Sequence, residues 1–347
     1  MKILLPFAWL YSFAMAVRNW CFDVGVLQQH EAGVPVVSIG NLTVGGTGKT
    51  PLVEYIVGHL LASGRKPAVI SRGYKRASKG VVIVSDGKRL RADAREGGDE
   101  PAQIAHKFPE AIVVVGERRT DAARVAVTLG ADVVVMDDGF QHRYLKRNLD
   151  IVVIDSRKDL LADAVLPAGR LREPLSSLRR AHLIAFSHVE NGVPERLPRG
   201  VERYCAAPSI AFRYHIGTVR RATDGVEVSA EAVRRMHLVA FSGIGNHEAF
   251  VEQLRNERFT LAGELRFPDH HRYGALDMDL IAYTVKAFHA DGLLTTEKDV
   301  VRLKADEAIA RTLFETYTFF YTTITVEIVR GEETLHTSIA HAIQGEQ

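Results

Sequence analysis

A glycine-rich segment that ends in a lysine and a threonine carries the clearest chemical signal in the sequence. It consists of Thr43, Val44, Gly45, Gly46, Thr47, Gly48, Lys49 and Thr50. Glycines let backbone N–H groups turn toward phosphate oxygens, the lysine reaches the β- and γ-phosphates, and the threonine hydroxyl is placed for Mg²⁺. The usual phosphate loop begins with glycine, whereas this chain has Thr43 there. The segment predicts a nucleoside triphosphate site with Mg²⁺.

An acidic pair follows an apolar run further along the chain. Asp137 and Asp138 come directly after residues 133–136, Val-Val-Val-Met. A carboxylate at the carboxyl end of a strand is what a phosphate-loop fold needs to organise a Mg²⁺ held by Thr50. Alternatively, the pair caps the strand and starts the turn at Gly139. Either acid is a candidate ligand.

Two further segments contain groups suited to acid–base chemistry. Residues 98–101, Gly-Asp-Glu-Pro, place Asp99 and Glu100 before a helical pattern, where an aspartate can serve as the base near an acceptor hydroxyl. The alternative is a helix N-cap with proline in the first turn. In residues 269–271, Asp-His-His, the aspartate can set the tautomer or pKa of His270. A solvated loop histidine is the alternative there.

Several arginines are candidates for holding phosphates or anionic lipid head groups. Arginine-rich helix faces that are simply solvated are the alternative. The candidates are Arg118, Arg119, Arg170, Arg172, Arg179 and Arg180.

The elements that must position these groups follow from the hydrophobic pattern. From residue 35 onward, short β-branched runs alternate with longer segments that have apolar residues at three- and four-residue spacing. This alternation predicts an α/β fold, P-loop NTPase-like, with a mostly parallel sheet and flanking helices. The predicted strands are Pro35–Ser38, Pro67–Ser71, Ala111–Val115, Asp132–Met136, Ile151–Ile154, His182–Phe186, His237–Phe241 and Gly292–Thr295. The predicted helices are Thr50–Leu61, Arg119–Leu129 and one that begins at His247.

A composition shift predicts the domain organisation. The segment Glu190 to Arg199 contains one glycine, two prolines and several charges without periodicity, which favours a junction there. We expect an N-terminal hydrophobic helix in residues 1–25 and a P-loop nucleotide-binding domain in 26–190. A linker region follows in 191–235, and a smaller α/β domain occupies 236–347.

The first twenty residues contain an unusually apolar stretch. Residues 3–17 are apolar at all but two positions, and Lys2 and Arg18 bracket them. The stretch is shorter than the ~20 residues needed to span a bilayer, and no small-residue cleavage site follows it. We expect a monotopic helix that lies in one leaflet, anchored by Trp9 and Trp20. A helix packed on the protein's own core is the alternative.

Charge and cysteine content limit the classes of partner. The 347 residues carry a formal net charge of +2, which is too small to indicate a nucleic-acid binder. Cys21 and Cys205 lie far apart without metal-ligand spacing, so neither a disulfide framework nor a zinc site is predicted. The composition fits a reducing cytosol and indicates no particular protein partner.

Six short segments, taken in order, closely resemble the tetraacyldisaccharide 4'-kinase family, the lipid A pathway kinases of Gram-negative bacteria. They are residues 40–43 Gly-Asn-Leu-Thr, 71–74 Ser-Arg-Gly-Tyr, 98–101 Gly-Asp-Glu-Pro, 137–142 Asp-Asp-Gly-Phe-Gln-His, 166–169 Leu-Pro-Ala-Gly and 296–299 Thr-Glu-Lys-Asp. The resemblance extends over nearly the whole chain and includes Thr43 at the start of the phosphate loop.

The resemblance implies ATP-dependent phosphorylation of the 4'-hydroxyl of a tetraacylated glucosamine disaccharide, at the cytoplasmic face of the bacterial inner membrane. It implies that Asp99 is the base and works with His270. We expect Lys49 and Arg119 to neutralise the developing phosphate charge. The candidates for the Mg²⁺ shell are Thr50, Asp137, Asp138, Glu100 and Glu173.

Two other functions compete with this interpretation. A membrane-associated ATPase switch of the membrane-partitioning kind shares the Gly-Gly-x-Gly-Lys-Thr core, but those proteins have a lysine where this chain has Val44. A soluble small-molecule kinase predicts that the N-terminal segment is dispensable.

Overall fold

The protein is described by a computed structural model that covers residues 4–189 and 200–345. Its centre is a single mixed sheet of 13 strands with helices on both faces. The predicted fold class, α/β with a mostly parallel sheet, is therefore confirmed. The predicted junction at Glu190 to Arg199 lies outside the described residues.

The first half of the chain contributes seven strands to the sheet. The strands are β1 Val36–Asn41, β2 Pro67–Ser71, β3 Val82–Asp86, β4 Ile112–Val115, β5 Val133–Asp137, β6 Leu149–Asp155 and β7 Leu183–Ser187. They pair in parallel except for β3 and β4. All residues of β1, β2, β4, β5, β6 and β7 are buried. Such runs of Val and Ile are typical of strands covered by helices on both faces. The helices of this half are α1 Leu5–Asp23, α2 Lys49–Ala62, α3 Ala94–Gly97, α4 Asp99–Lys107 and α5 Arg119–Thr128.

The second half adds six strands and six helices to the same sheet. The strands are β8 Ser209–Arg221, β9 Glu227–Val228, β10 His237–Ser242, β11 Thr260–Arg266, β12 Gly292–Thr296 and β13 Phe319–Arg330. The helices are α6 Ala230–Arg234, α7 His247–Asn256, α8 Ala275–Ala287, α9 Glu297–Lys304, α10 Glu307–Thr316 and α11 Glu332–Gln344. The predicted linker region 191–235 thus contains β8, and the domain boundaries remain predictions.

An antiparallel ribbon connects the two halves of the sheet. The strand order is β11-β10-β12-β13-β8-β7-β6-β1-β5-β2-β4-β3, with β9 paired to β8. β8 and β13 are the longest strands described, and their register shifts at Thr322/Ile324 and Ile328/Arg330. Such irregularities bend and twist a strand pair. Helices from both halves meet beside this ribbon, where α4 packs on α9.

The N-terminal helix presents an apolar surface. In α1, Trp9 is 72% exposed and both Leu10 and Phe13 are 67% exposed, while Asn19 and Phe22 are buried. Within the described part of the chain, no helix combines the length and apolar character that crossing a bilayer requires.

Candidate active site

The phosphate loop connects β1 to α2, and two of its glycines adopt left-handed backbone geometry. Gly45 has φ +100° and Gly48 has φ +76°, conformations that side chains other than glycine rarely adopt. Gly48 has a second reason to be glycine, because a Cβ there would lie 1.6 Å from the hydroxyl oxygen of Tyr214. The loop therefore depends on Gly48 for both backbone conformation and space.

Side chains from three strands, β1, β7 and β8, hold this loop. Asn41, at the end of β1, donates from Nδ2 to the Thr43 carbonyl at 2.8 Å and to the Thr47 hydroxyl at 2.9 Å. On β7, Ser187 donates to the Thr47 carbonyl at 2.9 Å. On β8, Tyr214 donates to the carbonyl of Gly48 at 2.8 Å. Burial raises the pKa of Tyr214, which keeps its hydroxyl a neutral donor.

Lys49 begins α2 and connects the loop to the acidic pair. Its Nζ lies 3.2 Å from Oδ1 of Asn41 and 3.3 Å from Oδ1 of Asp138. Arg172 contacts both carboxylate oxygens of Asp138, at 3.0 and 2.8 Å. Burial favours a raised pKa for Asp138, but the charges of Lys49 and Arg172 outweigh it, so the pKa is lowered. Asp138 is therefore an ionised group beside the predicted γ-phosphate position.

Asp137 ends β5 in a different environment. Its side chain is buried, and its Oδ1 has no hydrogen-bond partner within residues 4–189 and 200–345. Burial and the nearby charge of Glu100 raise its pKa to about 7, against the opposing effect of Lys49. A buried carboxylate without a partner is the kind of group that a cation stabilises. Thr50 lies in the first turn of α2, directly after Lys49. Lys49 contacts Asp138, the residue that follows Asp137.

Arg119 is buried at the start of α5. Its Nη1 donates to the carbonyls of Gly116 at 3.4 Å and Glu117 at 3.3 Å. Burial lowers its pKa, and the attraction of Asp138 and Asp137 opposes that effect. This guanidinium thus contributes positive charge to the side of the site that contains the acidic pair.

Asp99 and His270 are in direct contact. Asp99 is the first residue of α4, and His270 lies in the turn after β11 with φ +61°. Nδ1 of His270 and Nε of Arg302 each lie 2.7 Å from Oδ2 of Asp99. Burial favours a raised pKa, but the hydrogen bond from His270 and the charge of Arg302 lower the pKa of Asp99 to about 2. Because Asp99 is ionised, it can only accept, so Nδ1 of His270 is the donor in this hydrogen bond. In the neutral ring, the single N–H is therefore on Nδ1 and Nε2 is unprotonated.

Glu100 links the acid–base pair to the phosphate loop. Lys298, on α9, lies 3.1 Å from Oε1 of Glu100. Burial favours a raised pKa for Glu100, but the charges of Lys298, Lys49 and His270 lower it. Glu100 therefore interacts electrostatically with both the loop lysine and the histidine of the second half.

Glu173 contacts a different set of residues from the other predicted metal ligands. It is fully buried, and its Oε2 accepts hydrogen bonds from Arg180 at 2.9 Å and Asn19 at 2.8 Å. Within the described residues, no group of three or more His, Cys, Asp and Glu side chains is arranged to hold a metal ion. The Mg²⁺ roles of Glu173 and of the other candidates remain predictions.

Two residues that the sequence analysis did not single out belong to this site. Arg302 holds Asp99, and Lys298 holds Glu100. Lys298 lies in the Thr-Glu-Lys-Asp segment at 296–299, but the sequence alone predicts no function for this lysine. Arg302 follows Lys298 by four positions, about one turn of α9. This spacing predicts that both cations lie on one face of the helix.

The fold and the site together define a P-loop kinase, with a strand-to-helix phosphate loop, acids at the adjacent strand end and an Asp–His pair. A model of the family described as tetraacyldisaccharide-1-P 4'-kinase matches residues 1–344. The chain belongs to this family.

Relatives over the full length agree with this membership. The chain is 38% identical to the tetraacyldisaccharide 4'-kinase of Chlorobaculum tepidum over 99% of this chain and 97% of the relative. It is 39% identical to that of Anaeromyxobacter dehalogenans, over 95% of this chain and 87% of the relative. Among solved structures, it matches LpxK from Aquifex aeolicus in complex with ATP, with a TM-score of 0.82, 32% identity and 99% coverage of both chains. The predicted family and enzyme class are therefore confirmed.

Proposed function

We propose that this protein transfers the γ-phosphate of ATP to the 4'-hydroxyl of a tetraacyldisaccharide 1-phosphate in lipid A biosynthesis. The family match over residues 1–344 and the relatives' names support the acceptor, and the ATP-bound structural relative supports the donor. The observation that carries the proposal is the 2.7 Å contact between His270 and Asp99. A nucleotide switch needs no such acid–base pair beside its phosphate loop, whereas transfer to a hydroxyl does.

The chemical step is an in-line displacement at the γ-phosphorus. The acceptor 4'-oxygen forms a bond to phosphorus while the bond to the β–γ bridging oxygen breaks, and ADP leaves with that electron pair. The hydroxyl proton passes to Asp99, whose second oxygen, Oδ1, stays available when Oδ2 accepts from His270 and Arg302. A carboxylate with a pKa near 2 accepts this proton late, after bond formation to phosphorus has made the hydroxyl acidic. His270 orients the carboxylate throughout.

Positive side chains stabilise the charge that the phosphoryl group carries. Lys49 begins the helix at the phosphate loop, and Arg119 adds charge from α5. Backbone N–H groups of the loop add further donors at the helix N-terminus. Charge stabilisation of this kind accounts for most of the catalysis in phosphoryl transfer.

The acidic pair fits a Mg²⁺ ion. Mg²⁺ is commonly bound by one or two carboxylates together with substrate phosphates, so a dedicated cluster of protein ligands is not required. The Oδ1 of Asp137, which has no hydrogen-bond partner within the described residues, supports this assignment, as do the charges of Glu100 and Asp138 that act on Asp137. Thr50 directly follows Lys49, which contacts Asp138. A Mg²⁺ ion held by these residues would neutralise negative charge on the phosphates.

We further propose that α1 attaches the enzyme to the cytoplasmic face of the bacterial inner membrane by monotopic contact. Its exposed Trp9, Leu10 and Phe13 lie within about one helical turn of each other and form a contiguous apolar face. An acyl-chain acceptor resides in a bilayer, so this contact brings the site to its substrate.

The test is phosphate transfer from labelled ATP to purified tetraacyldisaccharide 1-phosphate, resolved from free phosphate by thin-layer chromatography. Label in the lipid, lost on treatment that removes 4'-phosphate, is the expected result. Label in free phosphate alone, unaffected by the acceptor, would instead favour an ATPase switch. Transfer to small water-soluble sugars but not to the lipid would favour a soluble small-molecule kinase.

A further inference from the structure

The helix α1 has a second face, opposite the apolar one, that is buried against the active-site loops. On this face Asn19 is 6% exposed and Phe22 is 5% exposed. The residues that cover it belong to two segments, 140–144 after the acidic pair and 172–180 around Arg172. We call the side chains of Tyr11, Arg18 and Asn19 the polar face of α1.

One connection from this polar face leads to the phosphate loop. Nη2 of Arg18 donates to the carbonyl of Gln141 at 2.6 Å. Nε2 of Gln141 donates to the carbonyl of Asn41 at 3.0 Å, and Asn41 accepts from Lys49 through its own side chain. Three consecutive contacts therefore separate α1 from the loop lysine.

A second connection leads to Asp138. The Tyr11 hydroxyl donates to the carbonyl of Arg172 at 3.0 Å, and Asn19 donates to the adjacent Glu173 at 2.8 Å. The side chain of Arg172 bonds both oxygens of Asp138. The helix thus fixes the backbone of the residue that holds this carboxylate in place.

Further contacts hold α1 in one position on these segments. Arg143 donates to the carbonyl of Asn19 at 2.8 Å and to Asp23 at 2.8 Å, and its guanidinium lies 4.9 Å from the ring centre of Phe22. Arg179 contacts the second oxygen of Asp23 at 2.7 Å. The Arg143 side chain is 7% exposed, so loss of its partners on α1 would leave a largely buried charge without hydrogen bonds, which is costly.

We propose that the polar face of α1 is a positioning element of the phosphate-transfer site, through Arg18 and Asn19, and not solely the back of a membrane anchor. This inference rests on the proposed function and adds residues to its site. It also assigns Glu173 to the attachment of α1. Removing residues 1–20 would therefore disturb Lys49 and Asp138 even with an acceptor that requires no membrane.

The experiment compares Arg18→Ala and Asn19→Ala with the wild type, using acceptor dispersed in detergent micelles so that bilayer attachment does not limit the rate. Matched controls are Arg311→Ala and Asn256→Ala, which make the same changes at exposed sites on α10 and α7. We expect kcat to fall at least about tenfold in both polar-face variants, since small displacements of catalytic groups have effects of this size. The Kd for ATP, measured by calorimetry, should rise at least about fivefold because Lys49 loses support. Arg18→Lys, which retains a donor, should recover most of the loss.

A cooperative thermal unfolding transition shows whether each variant is folded. If Asn19→Ala does not fold, the comparison is made with Arg18→Ala alone. Folded Arg18→Ala protein with kcat within about twofold of the wild type and an unchanged Kd for ATP would overturn the inference. If wild-type protein transfers no phosphate to the lipid, the proposed function fails. The Kd for ATP then decides the inference: an increase in Arg18→Ala supports it, and an unchanged value overturns it.

Discussion

Nδ1 of His270 lies 2.7 Å from Oδ2 of Asp99, although 171 positions separate the two residues in the chain. The same oxygen accepts from Arg302, so one carboxylate joins the turn after β11 and the helix α9 to the start of α4. The Asp99–His270 pair is therefore assembled from both halves of the chain, close to a phosphate loop that belongs to the first half alone.

Replacing either member of this pair should affect the chemical step more than nucleotide binding. We expect Asp99→Ala to lower kcat by about 10²- to 10⁴-fold, the usual contribution of a positioned base, with little change in the Kd for ATP. The double variant Asp99→Ala/His270→Ala should be hardly worse than Asp99→Ala, because the two side chains act as a unit. Steady-state kinetics and calorimetry measure both effects. Equal losses of kcat and ATP affinity would argue against a role for Asp99 as base.

The hydroxyl of Tyr214 should contribute to nucleotide affinity through the phosphate loop. Tyr214→Phe removes the hydrogen bond to the Gly48 carbonyl and keeps the ring. A typical hydrogen bond contributes about 1 kcal/mol, so the KM for ATP should rise about fivefold while kcat changes little. Tyr204→Phe, at a more exposed position, is the control. A loss confined to kcat would contradict this interpretation.

The buried Glu54 and the half-buried Glu297 should make stability depend on pH. Both carboxylates approach Lys107, at 2.5 and 3.7 Å, and burial raises the pKa of Glu297 to about 7. A folded-state pKa above the unfolded value favours the protonated form, so this stabilisation is complete below about pH 4.5 and is lost as pH rises through 7.

Glu297→Gln should therefore raise the melting temperature relative to the wild type at pH 8, by roughly 2 °C or more, and by less at pH 5. Differential scanning calorimetry at the two pH values provides the measurement. Glu110→Gln changes an exposed glutamate and is expected to show no such pH-dependent difference. If Glu297→Gln changes the melting temperature by the same amount at both pH values, titration of Glu297 is not the cause of the change.

The apolar face of α1 should govern binding to bilayers. Leu10→Ser removes a 67% exposed leucine from that face, whereas Leu90→Ser makes the same change at a 46% exposed site after β3. Burying a leucine contributes about 2 kcal/mol, so Leu10→Ser should weaken binding to anionic phospholipid vesicles by roughly tenfold or more. Vesicle sedimentation measures the bound fraction. Equal binding by both variants would assign membrane attachment to another surface.

Much of the parallel sheet is predictable from the sequence because its strands are continuous apolar runs. The predicted strand Pro67–Ser71 has the observed bounds of β2, and the predicted helix Thr50–Leu61 differs from α2 by one residue at each end. β8 is less evident, since Arg213, His215 and several half-buried residues interrupt its apolar pattern. Burial changes along a strand that lies at the junction of two half-sheets, so its residues do not follow a simple alternation of apolar and polar side chains.

In the site too, features formed by consecutive residues can be predicted from the sequence, whereas contacts between distant residues cannot. Thr43 to Thr50 can be recognised because a phosphate loop is contiguous in sequence. The role of Arg302 cannot be found in this way, because its partner Asp99 is brought near only when α9 packs on α4. Likewise, no local pattern indicates that Asn19 contacts Glu173, since this contact depends on how α1 packs on the rest of the protein.

The position of β13 in the sheet has a consequence for how the enzyme is made. Among the described strands, β13 is the last in chain order, yet it lies between β12 and β8 and joins the strands β10 to β12 to the rest of the sheet. A nascent chain that has passed residue 62 already contains the phosphate loop and its helix, and α1 has emerged before them. Until β13 has been synthesised, His270 and Arg302, the partners of Asp99, lack the strand that joins their part of the sheet to the rest. A chain that stops short of β13 would therefore contain the phosphate loop and α1 but no assembled Asp99–His270 pair.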